Sequence, residues 1–170
     1  FSERWRNIPK ITIAAVQGRC IAGGLMLAWA CDIIIASDDA LFCDPVVTMG
    51  VLGVEWFVHP WELGARKAKE FLFTADNWSA QEAHRLGMVN QVVPRAELDA
   101  TVLAMAGRIA AKPAFALAMA KQAVNQTLDI MGQQSAVDAA FGLHHLCHAH
   151  NKEVFGTVVD PGGVPAAVKR

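Results

Sequence analysis

The sequence predicts an α/β fold in which a small sheet core comes first and a helical layer follows. Three observations predict it. The β-branched runs Ile11–Val16 and Asp32–Ser37 bracket a glycine pair and an apolar segment, which reads as strand, turn, helix, strand. Apolar residues recur at helical spacing from Trp61 to Leu72. From residue 95 onward the pattern is helical throughout. Strands early and helices late imply a sheet with a helical layer free to mediate assembly.

In chain order, Phe1–Lys10 is polar and reads as the end of a helix, with Pro9 marking the start of a strand. Ile11–Val16 has the continuous apolar character of a strand buried on both faces. A turn around Gln17–Arg19 leads to Ile21–Ser37, IAGGLMLAWACDIIIAS, the stretch on which the chain is organised. Leu25–Cys31 is apolar all round, which predicts a buried helix. A glycine pair at its start leaves backbone N–H groups without intrahelical partners, and these can point at a ligand oxygen as an oxyanion hole does. Gly18-x4-Gly23 is half of a phosphate loop, but Gly24-Leu25 replaces the Lys-Ser/Thr that a nucleotide site needs.

Asp32–Ser37 and Ala40–Cys43 are expected strands, and Asp44–Phe57 a loop. Pro60 opens a helix to about Thr74, weakened by Gly64. Ser79 and Glu82 form a capping box for a short helix that Gly87 ends. Met88–Val93 reads as a strand. Arg95–Ala111, Pro113–Leu128 and Gln133–Val154 read as helices, the second with proline at its first position, and a loop follows from Gly156.

The chain has 170 residues and a formal net charge of −1, enough for one domain with a sizeable core and no basic excess for nucleic acid or a membrane surface. Its longest apolar run free of charge and histidine, Cys20–Cys31, is too short to span a bilayer. Cys20, Cys31, Cys43 and Cys147 form no CxxC pair, which points to a reduced, cytoplasmic setting. None of the four serines lies in G-x-S-x-G, which disfavours a serine hydrolase. His144 and His148 are one helical turn apart with Cys147 near, a spacing able to hold a metal, but a polar helix face or subunit contact accounts for them better and no metal is expected.

Two blocks carry a family resemblance. Pro9–Ser37, PKITIAAVQGRCIAGGLMLAWACDIIIAS, and Ser79–Pro94, SAQEAHRLGMVNQVVP, resemble the enoyl-CoA hydratase/isomerase (crotonase) family, and the tail Phe155–Arg170 is a looser match. The resemblance implies a β-β-α spiral core over 1–94, here the carboxy-terminal part of an acyl-CoA-binding domain, and a helical oligomerisation region over 95–170. It implies an acyl-CoA thioester partner, a homotrimer or homohexamer, and no cofactor, coenzyme A being part of the substrate. Gly23 corresponds to one of two backbone donors for the thioester oxygen, unless it is a glycine needed only for close packing.

Family hydratases position water with two glutamates. The corresponding positions here are Met26 and Val46, neither of which transfers a proton, so ordinary two-glutamate hydration is not expected. With Cys20 and Val54 they are expected to line the substrate pocket. Other branches place an acid further along the same loop, where this chain has Glu55 between Val54 and Trp56. Apolar neighbours are expected to desolvate that carboxylate into a base. Asp44 is the second candidate, or else an Asx-type turn residue before Pro45. The tail match places Phe155 and Lys169 where family members contact CoA. The readings are an enzyme of enolate chemistry, isomerisation above hydration, or a degenerate acyl-CoA-binding or assembly subunit.

Overall fold

A computed structural model describes residues 1–163. Six short strands form two separate sheets, because the chain changes sheet at nearly every strand. β1 (Ile13–Val16) pairs in parallel with β3 (Ile33–Ser37), and β3 with β6 (Gln91–Val93). β2 (Arg19–Ile21) pairs in parallel with β4 (Leu41–Cys43), and β4 runs antiparallel to β5 (Trp78–Ser79). The β1–β2 corner turns at Gly18, whose φ of 60° lies in the left-handed region that glycine adopts without cost. Each pair of strands is followed by a helix: α2 (Gly23–Trp29) after β2, and α3 (His59–Thr74) after β4. This is the β-β-α spiral the family resemblance implies, and β2 and β5 are strands beyond those the sequence pattern predicts.

Polar side chains fix the strand ends. The Asp32 carboxylate accepts from Thr12 N at 2.7 Å, from Thr12 Oγ1 at 2.9 Å and from Lys121 Nζ at 2.8 Å, tying the starts of β1 and β3 to a distant helix. Asn90 extends β3 by accepting from Ile34 N through its side chain at 2.8 Å and donating its own N–H to Ile34 O at 2.8 Å. The core gathers Leu25, Ile34, Phe42, Phe71 and Trp78, with Phe71 and Trp78 edge to face at 4.7 Å.

Two burial expectations are corrected. β1 is an edge strand and only Val16 in it is buried, so it is not covered on both faces. α2 is not buried all round, since Leu27 is half exposed.

The remaining helices follow the sequence closely. α1 covers Ser2–Arg6 and α4 covers Ala80–Arg85. Ser79 Oγ caps α4 by accepting from Glu82 N at 3.1 Å, but the Glu82 carboxylate turns to Arg85 at 2.7 Å and leaves half of the capping box unmade. In α3, Gly64 has φ 72° and kinks the helix, a sharper effect than the expected loss of propensity. α5 (Leu98–Ala110) lays Leu98, Val102 and Met105 on Ile35 and Val93 of the first sheet. α6 (Ala114–Ile130) starts one residue past Pro113, and α7 (Gln133–Phe155) is the longest element. Phe115, Ile130 and Leu146 on these two helices are exposed. Among the described residues no single helix is long and apolar enough to cross a membrane.

Candidate active site

The site is built outward from the start of α2. Ala22, the residue before the helix, has φ 48° and ψ −105°, a conformation that costs a residue with a Cβ about 1–3 kcal/mol. Its N–H donates to Cys43 O at 3.1 Å, so the end of β4 fixes the turn. The turn presents Gly23 to the outside. Gly23 is exposed, and a Cβ added there would meet nothing within 4 Å. Close packing is therefore not why glycine stands at this position. Among the described residues neither Gly23 N nor Gly24 N is bonded to an acceptor, so both donors are open.

Beside this helix start stands an apolar wall. Val46, Val51 and Val54 are buried together, with Ala22, Met26, Met49 and Val159 packed against them. Met26 and Val46, from a helix and from a 3-10 turn over Val46–Met49, are thus brought into one surface next to Gly23. Cys20 is buried in the main core, against which Met26 also packs, and its Sγ would lie 3.9 Å from a Cβ added at Gly24; burial pushes its thiol up to about 12.

The two candidate acids have opposite surroundings. Asp44 is fully buried. Its Oδ2 accepts from Val54 N at 3.0 Å and lies 2.8 Å from His59 Nε2, while Oδ1 meets Val46 N at 3.5 Å. The Asx-type contact is present, but the carboxylate does more: it clamps both ends of the 44–59 loop. With its oxygens engaged inside the protein, Asp44 is a scaffold residue. Glu55 is the reverse, with its side chain 51% exposed. The expected desolvation does not occur. Val54 and Trp56 bury themselves and their packing turns the residue between them outward, with Oε1 3.7 Å from His144 Nε2.

Phe155 is the last residue of α7 and is partly exposed. Lys169 lies outside the described residues. Among the described residues no group of three His, Cys, Asp or Glu side chains is arranged to hold a metal.

Sequence reasoning missed several residues. His59 is fully buried, edge to face with Trp29 at 4.7 Å, and its Nδ1 has no partner among the described residues. A polar residue between the apolar run Trp56–Val58 and Pro60-Trp61 was the available signal, since such a group must find a buried partner. Glu62 was passed over as well. It lines a cavity of about 470 Å³ between the carboxyl end of α2 and α6, together with Trp29, Trp56 and Leu128, and burial pushes its carboxyl up to about 7. That cavity includes none of Gly23, Met26 and Val46, so the open donors and the wall, not the cavity, mark the candidate site.

A family model described as enoyl-CoA hydratase/isomerase matches residues 2–157. A putative enoyl-CoA hydratase EchA13 of Mycobacterium tuberculosis is 51% identical over 164 residues, covering 96% of this chain and 52% of the relative. The crystal structure of a probable enoyl-CoA hydratase from Mycobacterium smegmatis superposes with a TM-score of 0.92 at 57% identity, over 93% of this chain and 64% of that one. An enoyl-CoA hydratase/isomerase from Xanthobacter autotrophicus Py2 gives 0.85 at 33% identity, over 96% of this chain and 58% of that one. The chain spans about half the length of the curated relatives it matches.

Proposed function

Since the chain belongs to the enoyl-CoA hydratase/isomerase family and has its crotonase fold, we propose that it carries half of an acyl-CoA site that stabilises a thioester enolate and moves a proton, in preference to adding water. The observation that carries this reading is the wall. Hydration needs an acid and a base flanking one water, and the two positions where family hydratases hold glutamates are Met26 and Val46, packed into one apolar cluster. The open donors at Gly23 and Gly24 suit a thioester oxygen that gains charge in the transition state. An apolar surface next to them excludes water and favours proton transfer. Glu55, next in sequence to Val54 of the wall, supplies the base. The exposed Phe115, Ile130 and Leu146 support assembly of the helical region into a homotrimer or homohexamer.

The exposure of Glu55 favours a second reading, a catalytically degenerate acyl-CoA-binding subunit, because the proposed base is not held dry. Glu55→Gln in the full-length protein separates the two. If Glu55 is the base, kcat on a panel of enoyl-CoA thioesters falls about a hundredfold or more while calorimetric binding is kept. Unchanged turnover removes Glu55 from the chemistry. Loss of binding together with turnover makes the residue structural.

A further inference from the structure

α7 carries two neighbouring histidines, one of them fastened to the candidate loop, whose ring nitrogens leave little freedom in where their protons sit. His144 is buried, and its Nδ1 lies 3.0 Å from Gly53 O. His148, one turn later and partly buried, places Nδ1 2.5 Å from Val158 O. A carbonyl oxygen only accepts, so each Nδ1 must carry a hydrogen. A neutral imidazole has one N–H, which makes each Nε2 an acceptor. Yet the two Nε2 atoms face each other at 2.9 Å, with the rings nearly perpendicular at 83°. Two lone pairs repel at that distance. A hydrogen between them resolves the conflict without moving a ring. Turning either ring over would forfeit its carbonyl bond and put carbon where the Nε2 contact now is.

We propose that His144 and His148 share one proton between their Nε2 atoms, and that the resulting singly charged pair is a positioning group for Glu55. The pair then holds three N–H protons on four nitrogens, one more than two neutral rings. Its charge sits 3.7 Å from Glu55 Oε1, the acid facing it from the loop. From α7 itself, the neighbouring His145 ring is 6.1 Å from His144 and 6.2 Å from His148. Asn151 completes the attachment by donating to Gly50 O at 3.1 Å, so α7 grips the loop at Gly50 and at Gly53, on the chain leading into Glu55. An exposed carboxylate with this cation beside it is held in one place, as a base must be. This inference rests on the role proposed for Glu55.

The test begins with the full-length protein free of ligand, by nitrogen-15 NMR of its histidine rings. The expected result is Nδ1–H on both residues and one exchange-protected proton coupled to both Nε2 atoms. A pattern of two neutral rings, or an Nε2 pair occupied by a divalent metal that a chelator removes, overturns the proposal. Kinetics test the positioning. His148→Gln should lower kcat by up to about a hundredfold, the scale of a displaced catalytic group, with KM nearly unchanged, and His148→Lys, which returns a fixed cation, should recover part of it. Unchanged kcat in His148→Gln while Glu55→Gln is impaired overturns the positioning role. A shared proton together with a fully active Glu55→Gln variant overturns the reading of Glu55 and leaves the paired histidines standing.

Discussion

Three acids along one stretch, Asp44, Glu55 and Glu62, differ in surroundings more than in chemistry. Asp44 is satisfied inside the protein by Val54 N and His59. Glu55 faces solvent and a pair of histidines. Glu62 lines a cavity and is raised to about 7 by burial. The last makes a signed pH prediction. Its ordinary value is 4.5, so between about 4.5 and about 7 the folded chain binds a proton that the unfolded chain has released. Glu62 therefore costs increasing stability as pH rises through that window, and the cost is complete above it. Glu62→Gln should raise Tm at pH 8 and leave it nearly unchanged at pH 4, as read by calorimetry of the full-length variants. None of these surroundings was legible from composition. Glu55 between Val54 and Trp56 looked desolvated, but alternation along the chain sends a residue away from the side its neighbours bury.

Among elements, the 44–59 loop shows how few contacts are needed to hold an irregular segment. Asp44 ties its start to Val54 and to His59 at the first turn of α3. Removing the carboxylate leaves a buried N–H and a buried imidazole without partners. Asp44→Ala should destabilise the fold by about 3–5 kcal/mol, measured by urea titration. Asp44→Asn should cost less, because an amide oxygen in the place of Oδ2 still accepts from Val54 N and from His59 Nε2. Its amide nitrogen would stand in the place of Oδ1 and face the N–H of Val46, donor against donor. The regular elements were easier to read. α3, α6 and α7 fall within a few residues of their sequence patterns because periodicity and proline signal them directly. β2 and β5 were not legible, since strands of three and two residues have too few positions to show an alternation.

For the whole molecule, the family blocks implied the spiral, while the residues alone implied only a sheet with helices. Splitting the strands between two sheets depends on corners such as Gly18, whose effect on pairing is not local. The same topology explains why the candidate site gathers residues far apart in sequence. The end of β4 sets Ala22, the turn opens the Gly23 donor, and the loop after β4 returns Val46 and Val54 beside Met26. The central claim is that this wall turns a hydratase scaffold towards proton transfer. The most direct measurement is to incubate the full-length protein with crotonyl-CoA and other enoyl-CoA thioesters in deuterated water. Hydration is followed by loss of the enoyl absorbance, and deuterium entering the carbon chain by NMR. The account predicts deuterium incorporation or double-bond migration with little hydration. Hydration of crotonyl-CoA at a typical enzymatic kcat of about 1–1,000 per second, with no exchange outpacing it, would contradict the account.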